Sequence, residues 1–181
     1  MKDKKYRIIL FCMGFFIIIT IWLIACADKL PPFNLFWSAL LITLSYFAMI
    51  FDINIKRIPN ELILVMITVW LILIVPVLIY DTDYGVDLII DSLIGLLIGG
   101  GLFLLVYAVS RKGLGGGDVK FMAAAGLYLG FAGILPAILY GTILAAVTGL
   151  VLIISKKINR KETIPLAPFL FVGIMITIFT S

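Results

Sequence analysis

Gly115-Gly116-Gly117-Asp118-Val119-Lys120 is the stretch around which the fold of this chain is organised. It lies between long apolar runs, so it places a carboxylate at a membrane boundary, directly after three residues without side chains. A second acid, Asp52, follows the apolar run that starts at Phe33. Because an acid beside an apolar run costs free energy, the two residues are predicted to have a function.

The composition of the chain is that of a polytopic membrane protein. Apolar residues make up 64% of the 181 positions, and the mean hydropathy is +1.25. Runs of about twenty apolar residues recur, which is the length that a helix needs to cross a bilayer. The net charge of +4 comes from Lys and Arg between these runs. It therefore indicates contact with membrane lipid and not with nucleic acid.

About seven transmembrane segments of an all-α fold are predicted: Ile8 to Ala27, Phe33 to Phe51, Glu61 to Tyr80, Leu88 to Ser110, Val119 to Phe131, Ile134 to Ser155 and Pro165 to Thr180. Basic residues before the first segment place the N-terminus in the cytoplasm. The basic connections at 56–57, 111–112 and 156–161 then share that side, provided that the chain crosses twice between Asp118 and Ser155. Both Asp52 and Asp118 are therefore expected at the cytoplasmic face.

The first segment also resembles a signal sequence, and Leu23-Ile24-Ala25-Cys26 is similar to a lipoprotein cleavage site. Its apolar stretch is longer than the usual signal core, which favours an uncleaved helix. We therefore expect residues 1–32 to form a first helix with an outer loop, and residues 33–181 to form a separate membrane domain.

No metal or cofactor is expected. Histidine is absent and no CxxC pair occurs, which leaves little basis for a zinc, haem or thioredoxin-like site. The acidic stretch from Asp81 to Asp87 departs from the spacing of a calcium-binding EF-hand. It is predicted to be a solvated outer loop.

Two carboxylates at one membrane face favour proton-transfer chemistry, because acids held close together share a proton. Either acid alone could instead cap a helix or extend into the headgroup layer. Helix polarity favours an ionised Asp118, at the start of a helix, as the base that activates water. Asp52, at the end of a helix, is then the protonated acid, and the chemistry is that of an aspartic protease.

Three motifs in a fixed order carry a family resemblance. Asp52 is followed by Lys56-Arg57-Ile58-Pro59-Asn60, then by the glycine-rich stretch from 115 to 120, and then by Ile164-Pro165-Leu166-Ala167-Pro168-Phe169-Leu170. Together they resemble the type IV prepilin peptidase family of GxGD-type membrane aspartic proteases. The resemblance implies that Asp52 and Asp118 are the catalytic pair. It also implies cleavage of the basic leader of prepilins or pseudopilins at the cytoplasmic face of a prokaryotic plasma membrane.

Residues around the two acids are predicted to shape the site. Gly115 and Gly117 should form the catalytic turn by allowing backbone geometry and close approach that other residues would block. Pro59 and Asn60 should start the next helix, with Asn60 as its cap. Lys120 should either orient Asp118 or the substrate, or contact lipid headgroups.

Near the third motif, Pro165 and Pro168 are expected to fix the last helix beside the site. Leu166-Ala167 stands where the family commonly has Phe-Gly, which is expected to alter the shape of the site and not its chemistry. Lys56 and Arg57 are interpreted as charges that anchor the cytoplasmic side. Larger family members carry a cysteine-bearing region linked to methylation of the new N-terminus. Because paired CxxC motifs are absent, this chain is expected to have peptidase activity without that region, and the sequence does not decide whether it also methylates.

Two other functions fit part of the pattern. Presenilin-type proteases also use GxGD, but they pair it with a Tyr-Asp motif where this chain has Phe51-Asp52. The alternative outside the enzymes is a small carrier or assembly subunit whose paired acids bind an ion or a proton between helices. It predicts acid-dependent transport and no proteolysis.

Overall fold

A computed structural model describes residues 32–110, 113–156 and 164–180, together with residues 14, 19 and 20. The described chain is helical, which confirms the predicted all-α class, and its elements are α1 (Pro32–Ile55), α2 (Asn60–Tyr80), α3 (Thr82–Val109), α4 (Gly116–Ile154) and α5 (Ala167–Thr180). Helices α1 to α4 are long and apolar enough to cross a membrane. Most of the predicted first segment, Cys26 and the basic residues at 111–112 and 157–161 lie outside the described residues. The seven crossings and the side of the N-terminus therefore stay predictions.

Two helix boundaries differ from the predicted ones. Helix α1 continues to Ile55, so Asp52 lies inside its last turn and not after it. Helix α3 begins at Thr82, so the prediction of a solvated loop from 81 to 87 was wrong. The physical reason is a helix cap, since the Asp81 Oδ1 atom accepts a hydrogen bond of 3.1 Å from the Tyr84 N–H group.

Helix α4 turns back on itself. Its two arms, 116–129 and 131–154, meet at Gly130, the one position of the helix with non-helical backbone angles. A Cβ atom on Gly99 of α3 would lie 2.5 Å from the Met122 carbonyl oxygen and 3.1 Å from the Ile134 side chain. Met122 and Ile134 are twelve positions apart and would be roughly 18 Å from each other in a straight helix, too far for both to contact Gly99. The predicted segments 119–131 and 134–155 are therefore antiparallel arms of one element.

Gly130 and Asp91 form this reversal. The φ angle of Gly130 is 63°, in the region that side-chain-bearing residues rarely adopt. The Asp91 Oδ1 atom accepts a hydrogen bond of 3.0 Å from the Phe131 N–H group, the first of the second arm. Asp91 on α3 thus caps the second arm of α4, and a Cβ atom on Gly130 would collide with its carboxylate.

Glycines, among them Gly95 and Gly99 of α3, let the helix backbones approach closely. Gly95 faces the backbone of Gly126, and a Cβ atom on either would overlap the other helix. Gly173 of α5 packs in the same way against the carbonyl oxygen of Ala137 in the second arm of α4.

The first arm of α4 lies at the centre of the bundle. The largest side chains that are fully buried include Phe121 and Met122 on this arm and Leu41 and Ile42 on α1. In contrast, α2 and α3 expose long rows of Leu and Ile on their outer faces. Such faces suit lipid contact in a membrane protein.

Successive helices alternate in direction between two ends of the bundle. Asp52 near the end of α1, Asn60 at the start of α2 and Asp118 at the start of α4 line one cavity, and we call this end the acid end. Residues at the start of α1 and α3 and at the end of α5 line a cavity at the opposite end. The second arm of α4 returns to the acid end, where Gly149 approaches Ile164.

Candidate active site

The carboxylate of Asp52 is buried at the acid end and binds another helix. Its side chain and backbone together are 6% exposed. The Oδ2 atom accepts a hydrogen bond of 2.9 Å from the N–H group of Ala167, the first residue of α5. Because the first N–H groups of a helix have no partner within it, Asp52 acts as the cap of α5.

Asp118 lies in the first turn of α4 and is 9% exposed. Its backbone N–H group donates a hydrogen bond of 3.1 Å to the carbonyl oxygen of Gly115. Gly115 stands at the N-cap position of α4. The glycine-rich stretch is thus a tight helix start that turns the Asp118 side chain back toward Gly115.

The structure brings Asp52 and Asp118 together, although they come from different helices. Both line a cavity of about 350 Å³ and a second one of about 180 Å³. Their negative charges are close enough to interact. Because two buried carboxylates cannot both ionise cheaply at short range, such a pair holds one shared proton. It can then supply an acid and a base at the same place.

Gly115 and Gly117 line the larger of these cavities, and at Gly115 the space around the backbone, not its geometry, favours glycine. Gly115 has a φ angle of −75° and a ψ angle of 137°, which any residue can adopt. The limit is space, since a Cβ atom there would lie 2.9 Å from the Asp118 Oδ2 atom. A Cβ atom on Gly117 would lie 3.3 Å from the Cβ atom of Ile58, and one on Gly116 would meet nothing within 4 Å.

Lys120 and Asn60 bind each other. The Lys120 Nζ atom donates a hydrogen bond of 2.9 Å to the Asn60 Oδ1 atom, which ties the start of α4 to the start of α2. The prediction that Asn60 caps α2 was wrong, since Pro59 stands at the N-cap and Asn60 is the first helical residue. The Asn60 side-chain oxygen instead accepts the hydrogen bond from Lys120. Lys120 therefore connects the helix that carries Asp118 to the start of α2.

Of the three prolines predicted to shape the site, one lines a cavity and two lie at helix starts. Pro165 lines the smaller cavity, next to Ile164. Pro168 is the second residue of α5, where a missing N–H group costs no hydrogen bond. Pro59 has a φ angle of −63° and directs the chain from Ile58 into α2.

Two contributions to the site escaped the sequence reasoning. The Ala167 N–H group carries no side-chain signal, although the position of Pro165 just before a helix could have indicated a free helix start. Lys56 was interpreted as an anchoring charge, yet it lines both cavities beside Asp52 and Asp118. Arg57 lines the larger of the two.

The assignment of base and acid from helix polarity does not hold. It placed Asp52 only at the end of α1, whereas its carboxylate also caps the start of α5. Both carboxylates therefore lie at helix starts, and helix polarity does not distinguish them. The pair is best treated as one unit with a shared proton.

Another cavity, of about 510 Å³, lies at the opposite end of the bundle. Aromatic rings form much of its wall, and Trp37 packs at 5.5 Å from both Phe33 and Tyr128 between ring centroids. No carboxylate is among the residues that line it. The smaller cavities at the acid end are therefore the better candidates for proton-transfer chemistry.

Comparisons with known proteins place the chain in a family. The model of the type IV leader peptidase family matches residues 38–150, which include both Asp52 and Asp118. No solved structure matches the chain.

Curated relatives named "Prepilin leader peptidase/N-methyltransferase" are also similar to the chain. The one from Escherichia coli is 31% identical over 166 residues, covering 86% of this chain and 68% of the relative. The one from Bacillus subtilis is 25% identical and covers 77% of this chain and 54% of the relative. The one from Xanthomonas campestris is 34% identical over 77 residues, and the chain spans only 27% of its length. The family match over more than half of the chain and the Escherichia coli relative show that the chain belongs to the type IV leader peptidase family.

Proposed function

We propose that the chain is an aspartic endopeptidase that removes the basic leader of prepilins or pseudopilins at the cytoplasmic membrane face. Two buried carboxylates from different helices, Asp52 and Asp118, line the same cavity and carry this proposal. The names of the similar proteins support the substrate class. Lys56, Arg57 and Lys120 lie at the acid end, and basic residues collect on the cytoplasmic side of membrane proteins.

The reaction uses the shared proton of the pair. One carboxylate takes a proton from a water molecule as the water oxygen attacks the peptide carbonyl carbon. The other, protonated, carboxyl donates a hydrogen bond to the carbonyl oxygen and stabilises the charge that develops there. Proton transfer to the peptide nitrogen then breaks the C–N bond. The products are a leader with a new carboxyl terminus and a mature protein with a new amino terminus.

Each acid has its own hydrogen bond to the protein, so the positions of the two acids do not depend on a bound substrate. The Asp52 carboxylate accepts a hydrogen bond from the Ala167 N–H group, and the backbone N–H group of Asp118 donates one to the Gly115 carbonyl oxygen. The substrate backbone can then approach the pair through a cavity that both acids line. Gly115 borders both cavities without a side chain and leaves room for that approach.

Asparagine variants test the proposal. Asp52→Asn and Asp118→Asn remove the ionisable group but keep a side chain of similar shape, and the amide oxygen of Asp52→Asn can still accept the bond that caps α5. Membranes that contain each variant are incubated with a leader-bearing pilin precursor, and shortening of the precursor is followed with time. We expect each variant to be slower than the wild type by about 10²- to 10⁴-fold.

Asp87→Asn serves as the matched control, because Asp87 is exposed on α3 and lines neither cavity at the acid end. It should cleave at the wild-type rate. Normal cleavage by the Asp52 and Asp118 variants would contradict the catalytic pair. Proton-coupled transport by a wild-type chain that leaves the precursor intact would instead support the carrier alternative.

A further inference from the structure

Lys56 has an unusual backbone conformation for a lysine. It follows the last residue of α1 with a φ angle of 55°, and its N–H group donates a hydrogen bond of 2.8 Å to the carbonyl oxygen of Asp52. Helices often end on a residue in this left-handed conformation, which is usually glycine because other side chains are strained there. A strained residue near an active site is a reason to look for a role of its side chain.

The position of Lys56 suggests that role. It lines both cavities that contain Asp52 and Asp118, and its positive charge is within electrostatic reach of the Asp52 carboxylate. Among the described residues that line these cavities, the other charged groups are Arg57 from the same connection and Asp118 from α4. The described residues before α5 that line the smaller cavity, Ile164 and Pro165, are uncharged.

We propose that Lys56 is a positioning residue that holds the Asp52–Asp118 pair in its singly protonated, negatively charged form. This inference rests on the proposed peptidase function. A buried pair with one proton carries one negative charge, and such a charge is costly unless a cation offsets it. Without the cation, the pair takes up its second proton at a higher pH and loses its base. Lys56 therefore extends the active form of the pair toward lower pH.

The left-handed conformation of Lys56 gives an unusually clean test. In Lys56→Gly the backbone preference is better satisfied and the charge is gone, so a role in closing α1 is retained while the electrostatic role is lost. Lys56→Arg keeps the charge, and Lys56→Met removes it while the strain remains. Lys156→Gly is the matched control, because Lys156 ends α4 with a φ angle of 54°, is also exposed, and lines neither cavity.

The measurement is the pH dependence of kcat/KM and of kcat for precursor cleavage by the full chain in detergent or vesicles, with the midpoint of thermal unfolding recorded in parallel. In Lys56→Gly and Lys56→Met we expect the acid limb of both profiles to move to higher pH by about one unit. The change in kcat should exceed the change in KM, because Lys56 acts on the carboxylate pair and not on the substrate. Lys56→Arg should restore the acid limb, and Lys156→Gly should follow the wild type at every pH.

Three outcomes would overturn the inference. One is an acid limb that is unchanged in both Lys56→Gly and Lys56→Met. Another is a Lys56→Arg variant that behaves like Lys56→Gly. The third is an increase in KM of equal size at all pH values, which would mean that Lys56 contacts the substrate. A wild-type chain that fails to cleave the precursor would overturn the proposed function, whereas the three outcomes above require a cleaving wild type and concern Lys56 alone.

Discussion

At the scale of single residues, the space around the Asp118 carboxylate limits what can stand at position 115. A Cβ atom on Gly115 would lie 2.9 Å from Asp118 Oδ2, the far end of a side chain that can turn away. The start of α4 would keep its backbone conformation, because alanine readily adopts the φ and ψ angles of Gly115. A methyl group at this position should therefore change where the carboxylate points and leave the fold intact.

We predict that Gly115→Ala separates activity from stability. Displacing a catalytic group by about 1 Å can cost about 10²-fold in rate, so cleavage of the precursor should slow by about 10- to 100-fold. The midpoint of thermal unfolding in detergent should stay the same or rise, because alanine restricts the unfolded chain. Gly116→Ala is the control, since a Cβ atom there meets nothing within 4 Å. Equal rates for the two variants would show that position 115 does not shape the site.

The sequence was enough to find the two acids but not the atoms that hold them. Asp52 and Asp118 were predicted because an acid beside an apolar run is costly wherever it lies. The partner of Asp52 is the N–H group of Ala167, which is 115 positions away and belongs to the backbone. The bond between Lys120 and Asn60 spans 60 positions. Hydrogen bonds between residues so far apart in the sequence depend on how the helices pack, and no local sequence pattern specifies them.

At the scale of an element, the reversal of α4 depends on Gly130. A side chain there would meet both a strained φ angle of 63° and the carboxylate of Asp91. We predict that Gly130→Ala lowers the free energy of unfolding by about 1–3 kcal/mol for the backbone strain alone. Gly101→Ala on α3 is the control, because it meets nothing within 4 Å and alanine favours helix. The measurement is thermal unfolding of the purified protein in detergent.

Loss of Asp91 gives an independent check on this reversal. Asp91→Ala removes the acceptor for the Phe131 N–H group, which should cost about 1 kcal/mol as the loss of a helix cap. Asp91→Ala removes the clash with a side chain at position 130 but not the strain of a φ angle of 63° there. The double variant Asp91→Ala/Gly130→Ala should therefore stay well below wild-type stability. A Gly130→Ala variant as stable as Gly101→Ala would contradict the role given to the reversal.

Most of the helices could be predicted from the apolar runs, but the reversal of α4 could be located only in part. The basic residues on either side of the stretch from Asp118 to Ser155 required two crossings. The predicted break between Phe131 and Ile134 lies close to the turning point, but no local pattern identified Gly130 as the residue that turns the chain. The residue that stabilises the turn, Asp91, lies 40 positions earlier in the chain. The start of α3 was misplaced because the acidic residues after Asp81 suggested a loop, whereas Asp81 is a helix cap.

At the scale of the whole molecule, the described basic residues are divided unevenly between the two ends of the bundle. Lys56, Lys120 and Lys156 lie at the ends of helices that meet at the acid end. The start of α3, at the opposite end, carries Asp81 and Asp83. Because short cytoplasmic connections collect Lys and Arg, this division supports a cytoplasmic acid end. The two carboxylates would then face the compartment that holds the basic leader of a membrane-inserted precursor.

This orientation predicts which ends can be labelled from outside the cell. In a background with Cys12→Ser and Cys26→Ser, a single cysteine is introduced as Asp83→Cys at the outer end or as Lys156→Cys at the acid end; both positions are exposed. A membrane-impermeant maleimide should label Asp83→Cys in intact cells and Lys156→Cys only after the membrane is permeabilised, because α4 returns to the acid end. Denatured samples, in which both cysteines react, correct for differences in expression. Labelling of Lys156→Cys in intact cells would put the carboxylates on the outside, where a cytoplasmic leader could not reach them.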